Sequence, residues 1–328
     1  MIDSNLLKNM VSIYGPSSRE ERIRNLIIKE IEEYVDEIKI DQLGNLIAHK
    51  AGCGDKLMIS ANMDQLGFIV IDIDEKGFIR FTNIGKCEPI HLIGQRVQFE
   101  NGIKGVIFYE ENSTENKITF EKLYIDIGSN KKEDTLSKVN IGDICILANE
   151  YIENEITIIS PNLDDRLGCY ILVEVIKNLN NTEYDLYFVF TTQGKVGARG
   201  AKTAAFSIEP DISLVIDVNR ARDTPKQERS NVKLFNGVTI DIMNNSYITH
   251  SEIKNTLLDL VVKNNIKYQL EVSDDDITDA GSIHLSKYGV KTTVVSIPCR
   301  YVHTSSEIAT KEDIIMCLKL INSFIGKL

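Results

Sequence analysis

The chain of 328 residues carries 37 Lys and Arg against 48 Asp and Glu, a formal net charge of −11, with 43% apolar and 26% charged residues. At roughly 150 residues per domain that length suggests about two domains, with enough apolar side chains for a sizeable core. The acidic balance argues against a surface that neutralises nucleic-acid phosphates or an anionic membrane, and the composition excludes collagen-like, disordered and disulfide-scaffold classes.

The opening Met1-Ile2-Asp3-Ser4-Asn5 shows no signal-peptide pattern, and apolar runs such as 214–216 and 293–297 are too short to span a bilayer. Six scattered cysteines without CxxC spacing read as buried or idle thiols in a reduced, cytoplasmic chain. Ser4 is placed to cap a helix running to about Tyr14, where Gly15-Pro16 stops it. Ser18 with Glu21 has capping-box spacing, and Ile23, Leu26, Ile27 and Ile31 share one helical face. Strands follow at 37–41, 46–49 and 56–61. From about Gly67 to Ile156 the texture changes to hairpins, 68–73 with 78–81 across Lys76-Gly77 and 96–99 with 104–108 across Asn101-Gly102. This reads as a small β-domain inserted at 67–156, flanked by an α/β domain made of 1–66 and 157–328. There a helix at 167–178, strands at 185–192 and 212–218, a helix at 253–264, strands at 268–272 and 291–297 and a helix at 311–325 alternate, which implies a helix-covered, mostly parallel sheet.

In open α/β sheets ligands bind beyond the carboxyl ends of strands. Those ends carry Asn62-Met63-Asp64, Gln193-Gly194-Lys195, Asp217 and His303, while Asp164-Asp165-Arg166 open a helix. By itself the aspartate pair reads as N-cap chemistry plus an ion pair. His303 alone reads as a loop histidine, and His49, His91, His250 and His284 as structural or surface groups. The glycines at 194, 197 and 200 match neither GxGxxG nor a Walker motif, and there is no GxSxG elbow for serine hydrolysis. Nothing ties Cys299 and His303 into a nucleophile constellation.

Longer motifs carry a resemblance that covers nearly the whole chain. They are Leu163-Asp164-Asp165-Arg166-Leu167-Gly168, Val196-Gly197-Ala198-Arg199-Gly200-Ala201, Asp223-Thr224-Pro225, Thr278-Asp279-Ala280-Gly281, the run from Ile297 to His303, and Leu123-Tyr124-Ile125-Asp126-Ile127-Gly128. With the order of elements, they resemble the dinuclear metallo-aminopeptidases that include the glutamyl and tetrahedral aminopeptidases, some members of which bear an endoglucanase label. The resemblance implies a helix-flanked mixed sheet with an inserted, barrel-like β-domain. It also implies release of N-terminal residues from short peptides, and homo-oligomers that in the family are often dodecamers.

By the same resemblance, Asp164 matches a bridging metal ligand, Asp217 a second aspartate ligand, His303 the last histidine ligand, and Asp64 the aspartate that orients the first histidine. Three positions depart. Asn62 stands in place of that histidine, Gly194 in place of the general-base glutamate, and Lys195 in place of a glutamate ligand. An ammonium has no lone pair and repels a cation, and glycine cannot accept a proton. The expectation is therefore an aminopeptidase homologue with dinuclear catalysis lost or strongly impaired, Lys195 taking a metal's place among Asp164 and Asp217. Two ions are not expected, only none or a single weakly held Mg²⁺, Mn²⁺, Ca²⁺, Zn²⁺ or Co²⁺. Arg220 and Arg222 add positive charge after Asp217 and suggest a peptide or small anionic ligand, with neither nucleic acid nor membrane as partner. The alternatives are an active hydrolase using one metal or an altered site and, remotely, a phosphate- or anion-binding module.

Overall fold

A computed structural model describes residues 2–110, 118–148, 150–179, 182–226, 232–273 and 278–326. The first half contains α1 (Ser4–Ser12), α2 (Glu21–Ile31), β1 (Glu37–Ile40), β2 (Leu46–Lys50), β3 (Lys56–Asn62), β4 (Gly67–Ile73), β5 (Ile79–Ile84), β6 (Arg96–Phe99), β7 (Lys104–Tyr109), β8 (Leu123–Asp126), α3 (Lys132–Leu136), β9 (Ile144–Leu147), β10 (Ile152–Glu153) and β11 (Thr157–Ser160). The second half contains α4 (Leu163–Lys177), β12 (Asp185–Thr191), α5 (Arg199–Ile208), β13 (Ile212–Arg220), β14 (Val238–Asn244), β15 (Tyr247–Ile248), α6 (Ser251–Lys263), β16 (Tyr268–Val272), α7 (Asp279–Ile283), β17 (Lys291–Arg300), β18 (Glu307–Thr310) and α8 (Lys311–Ile325).

Twelve strands form one mixed sheet whose main path runs β1-β2-β12-β3-β13-β17-β18-β11-β10, with β14 joined to β17 and carrying β15 and β16. This is the helix-flanked mixed sheet that the resemblance implies; the alternation alone suggested a mostly parallel one, but the run β12-β3-β13-β17 is parallel while the strands added beside it at β2, β18 and β14 join it antiparallel. Parallel strands buried on both faces need continuous apolar runs. Leu57, Met58 and Ile59 of β3, and Leu214, Val215 and Ile216 of β13, are accordingly buried with helices on both sides. The antiparallel strands β4-β5-β8-β7-β6-β9 close into a six-stranded barrel with its own apolar core, including Phe68, Phe81, Phe99 and Ile125.

Helix starts depart from the simplest capping expectation. Asp3, not Ser4, caps α1, its Oδ1 accepting the N–H groups of Asn5 and Leu6, while Ser4 Oγ donates to Glu153 Oε1 at 2.8 Å. The Ser18–Glu21 capping box does not form. Ser18 has φ +70° and α2 has no side-chain cap, because Glu20 instead accepts the backbone N–H of Gln193 at 2.9 Å. Ile23, Ile27 and Ile31 are buried along one face of α2, with Leu26 packed partly buried beside them. α8 spans the expected residues, with Thr310 Oγ1 accepting the Asp313 N–H. Among the described residues no helix is long and apolar enough to cross a membrane. Cys145, Cys169, Cys299 and Cys317 are buried free thiols.

Candidate functional site

The parallel strands set the site. Thr191 of β12 is in register with Asn62 of β3, and Asp217 of β13 with Ser296 of β17, so their carboxyl ends open on one side of the sheet. A cleft of about 480 Å³ lies there, and Asn62, Asp164, Gly194, Lys195, Asp217 and His303 all line it. Asp64, which sequence reasoning grouped with them, is buried behind it.

Asp164 is the hub. Its Oδ1 lies 2.5 Å from Lys195 Nζ and its Oδ2 lies 2.9 Å from His303 Nε2, with side-chain exposures of 5%, 11% and 13% for the three groups. Glu307 ties the hub to its loop, accepting the Asp164 N–H at 3.0 Å and the His303 N–H at 2.7 Å. Burial pushes the Asp164 carboxyl up, but Lys195 and His303 outweigh it and hold the group below the usual carboxylate range. Burial likewise works to lower Lys195, but Asp164 and then Asp217 hold its ammonium above the ordinary lysine range. Asp217 is pushed up to about 8 by burial and by the charge of Asp164. Glu307 is pushed up to about 8 for the same two reasons.

Asp64 builds the turn that delivers the lysine. Its carboxylate accepts from Ser17 Oγ at 2.5 Å, Asn62 Nδ2 at 3.1 Å, Gly194 N–H at 2.8 Å and Lys195 N–H at 2.9 Å. Gly197, at φ +108°, then lets the chain turn into α5. Asn62 and Gly194 fit each other closely: a Cβ at Gly194 would stand 2.7 Å from Asn62 Cβ. The barrel closes the site from above, where a Cβ at Gly85 would stand 3.1 Å from Lys195 Cβ. Replacing Asp64 by alanine removes the acceptor of two backbone N–H groups. The expected cost is about 2–4 kcal/mol of unfolding free energy, read by urea titration.

The reading of cap plus ion pair holds only in part, since Asp164 pairs with Lys195 and Asp165 accepts the N–H three residues on, while Arg166 pairs with neither. Asn162 precedes α4 without a side-chain cap, and Asp164 and Asp165 keep non-helical backbone angles. Asp165 accepts the N–H of Gly168 and of Asn62. Arg166 is fully buried and donates to Met10 O, Gly15 O and Gln65 Oε1 rather than to a carboxylate. Sequence reasoning gave no role to Glu307 or Asp279, and to Asp165 only cap and ion-pair chemistry. The signal for Glu307 was a carboxylate four residues after His303, and for Asp279 its place in the Thr278–Gly281 motif. Burial pushes Asp279 up to about 6 despite the hydrogen bond from Thr191 Oγ1.

As a donor set these residues do not fit a pair of divalent ions. Both Asp164 oxygens face nitrogen atoms, Lys195 brings a positive charge with no lone pair, and Gly194 has no side chain. Asn62 turns its Nδ2 to Asp64. Among the described residues no group of three or more His, Cys, Asp or Glu is placed to hold a metal ion.

A family model described as M42 glutamyl aminopeptidase matches residues 44–320. A relative from Acetivibrio thermocellus that carries an aminopeptidase name is 46% identical over 317 residues, covering 96% of each chain. An aminopeptidase of known structure from the archaeon Desulfurococcus kamchatkensis superposes with a TM-score of 0.95 at 32% identity, covering 99% of this chain and 94% of its own. The Pyrococcus horikoshii TET1 peptidase, which can assemble into a tetrahedron or a large octahedral shell, gives 0.88 at 31% identity with 99% of each chain covered.

Proposed function

The chain belongs to the M42 glutamyl aminopeptidase family, and from that premise we propose that its cleft binds a peptide or small anionic ligand while two-metal hydrolysis is lost or strongly impaired. The observation that carries this reading is Lys195 Nζ at 2.5 Å from Asp164 Oδ1, an ammonium on the carboxylate that the family resemblance makes the metal bridge. A metal centre activates water by lowering its pKa, and a nearby base takes the proton. Here Lys195 is held protonated and Gly194 has no side chain, so neither position takes a proton from water. Losing the base alone removes about 10²–10⁴ in rate. The assembly of the Pyrococcus horikoshii peptidase into closed shells, and of the related PhTET1-12s into a dodecamer, supports a homo-oligomer, with a dodecamer as the form to look for.

The test pairs elemental analysis with an assay. After equilibration with Zn²⁺, Co²⁺ or Mn²⁺ and desalting, the protein should retain less than one ion per chain. Turnover of aminoacyl-anilides should fall at least about 10²-fold below that of a metal-replete family member. Two retained ions, with hydrolysis abolished by Asp164→Asn, would overturn the reading. One ion with turnover that depends on Asp164 would move it to a single-metal hydrolase.

A further inference from the structure

Strand β16 ends the side branch of the sheet. Among the described residues it pairs with β14 alone, so its other edge is open. Val238 N–H donates to Lys267 O at 3.1 Å and Ser273 N–H to Met243 O at 3.0 Å, which turns the odd-numbered positions of this stretch toward β14. By alternation the main-chain N–H and C=O groups of Tyr268, Leu270 and Val272 point away from β14, along the free edge.

The same three residues carry the exposed side chains. Tyr268 is 38% exposed, Leu270 41% and Val272 64%, all on one face of the strand. Gln269 is buried on the other face, where Glu271 lines the cleft. Next to Val272 in register stand Met243 of β14 and then Ile248 of β15, the latter 70% exposed, so the apolar row continues inward from the edge. Edge strands are commonly blunted by Lys, Pro or a charge on the open face. The run Tyr268-Gln269-Leu270-Glu271-Val272 has neither Lys nor Pro, and its one charge faces the cleft.

An open edge accepts any extended segment, but the residue order here fits a second copy of this chain. Laid antiparallel about a two-fold axis at Leu270, two such strands set Leu270 opposite Leu270 and each Tyr268 opposite a Val272. All the outward-facing residues then fall in hydrogen-bonded pairs, with about six main-chain hydrogen bonds across the joint. Aromatic side chains opposite β-branched ones are favourable cross-strand pairs, and on the cleft face each Glu271 meets a Gln269 rather than another carboxylate. A ladder of about 17 Å is short, so it holds where other contacts join the same copies, as in a closed oligomer.

We propose that the free edge of β16 is an interface between copies of this chain, paired antiparallel about a two-fold axis at Leu270. The proposal rests on the homo-oligomer reading and is independent of whether the cleft hydrolyses peptides.

Sedimentation velocity of the intact chain tests it with Leu270→Lys and Leu270→Glu. Each substitution sets like charges opposite one another at the axis, and each should lower the mass of the assembly at least about twofold. An equimolar mixture of the two variants places Lys opposite Glu and should regain the wild-type mass. Variants that keep the wild-type mass, or a mixture that stays dissociated, would overturn the proposal. Hydrogen exchange on the wild-type assembly gives a second readout that needs no substitution. The amides of Tyr268, Leu270 and Val272 should be as protected as those of Gln269 and Glu271, and rapid exchange at those three would also overturn it. A monomeric wild type would refute the homo-oligomer reading itself, whereas an oligomeric wild type with unprotected amides at these positions would refute only this interface.

Discussion

Replacing Lys195 by methionine should lower the unfolding free energy by about 3–5 kcal/mol, the usual effect of removing one partner from a buried ion pair. Methionine keeps most of the side-chain length and loses the ammonium, leaving Asp164 buried with His303 as its one side-chain partner among the described residues. Thermal unfolding should show a midpoint lower by on the order of 10 °C. The double variant Lys195→Met, Asp164→Asn should recover much of that loss, because it removes both charges instead of stranding one. The pH dependence has a definite sign. The Asp164 carboxyl is held below its ordinary value near 3.8, so its contribution is complete above that pH and is lost as the pH falls through the lower folded value. The gap between wild type and Lys195→Met should therefore shrink in acidic buffer, as Asp164 takes up its proton. A Lys195→Met protein as stable as wild type at neutral pH would show that the ammonium is not the counter-charge of the cluster.

Local periodicity made the fold legible where the pattern was strong, and long-range contacts hid the rest. β16 and α8 have the ends that alternation and helical spacing indicated. α5, with its run of small residues and no side-chain cap at Ala198, has neither an apolar stripe of large residues nor a polar start signal, and it was not anticipated. β14 and β18 were also missed, since each is short or interrupted in pattern and is held by partners far away in sequence. The candidate site is more demanding still. Asp164 and His303 are 139 residues apart, and only the family resemblance gave a reason to place them together. The role of Asp64 as acceptor for the 194–195 turn depends on backbone N–H directions, which no residue spacing announces. The same limit explains why Glu307, a carboxylate on a strand start, was overlooked while His303 was not.

The combined change Asn62→His, Gly194→Glu and Lys195→Glu should bring back retention of at least one divalent ion per chain, together with a gain of about 10² or more in peptide hydrolysis over wild type. None of the three alone should do so. Lys195→Glu by itself sets a third carboxylate beside Asp164 and Asp217 with no base at position 194. Asn62→His leaves the ammonium of Lys195 on the hub. Gly194→Glu by itself must push the turn away from Asn62, because its Cβ would come within 2.7 Å of Asn62 Cβ and 2.8 Å of Asn62 Cγ. Overpacking of that kind costs about 1–3 kcal/mol. The Cβ at position 62 remains when histidine replaces asparagine, so even the triple change requires the 194–195 turn to shift by a few tenths of an ångström. That shift is resisted by the Gly194 and Lys195 N–H bonds to Asp64 and favoured by release of Lys195 from Asp164. Elemental analysis of the triple variant decides which tendency wins. Retained metal with hydrolysis would mean that only side chains separate this cleft from a two-metal centre. A folded triple variant without metal would mean that Asp64 holds the turn too close for two ions, so that the backbone, as well as the ligands, has moved away from metal chemistry.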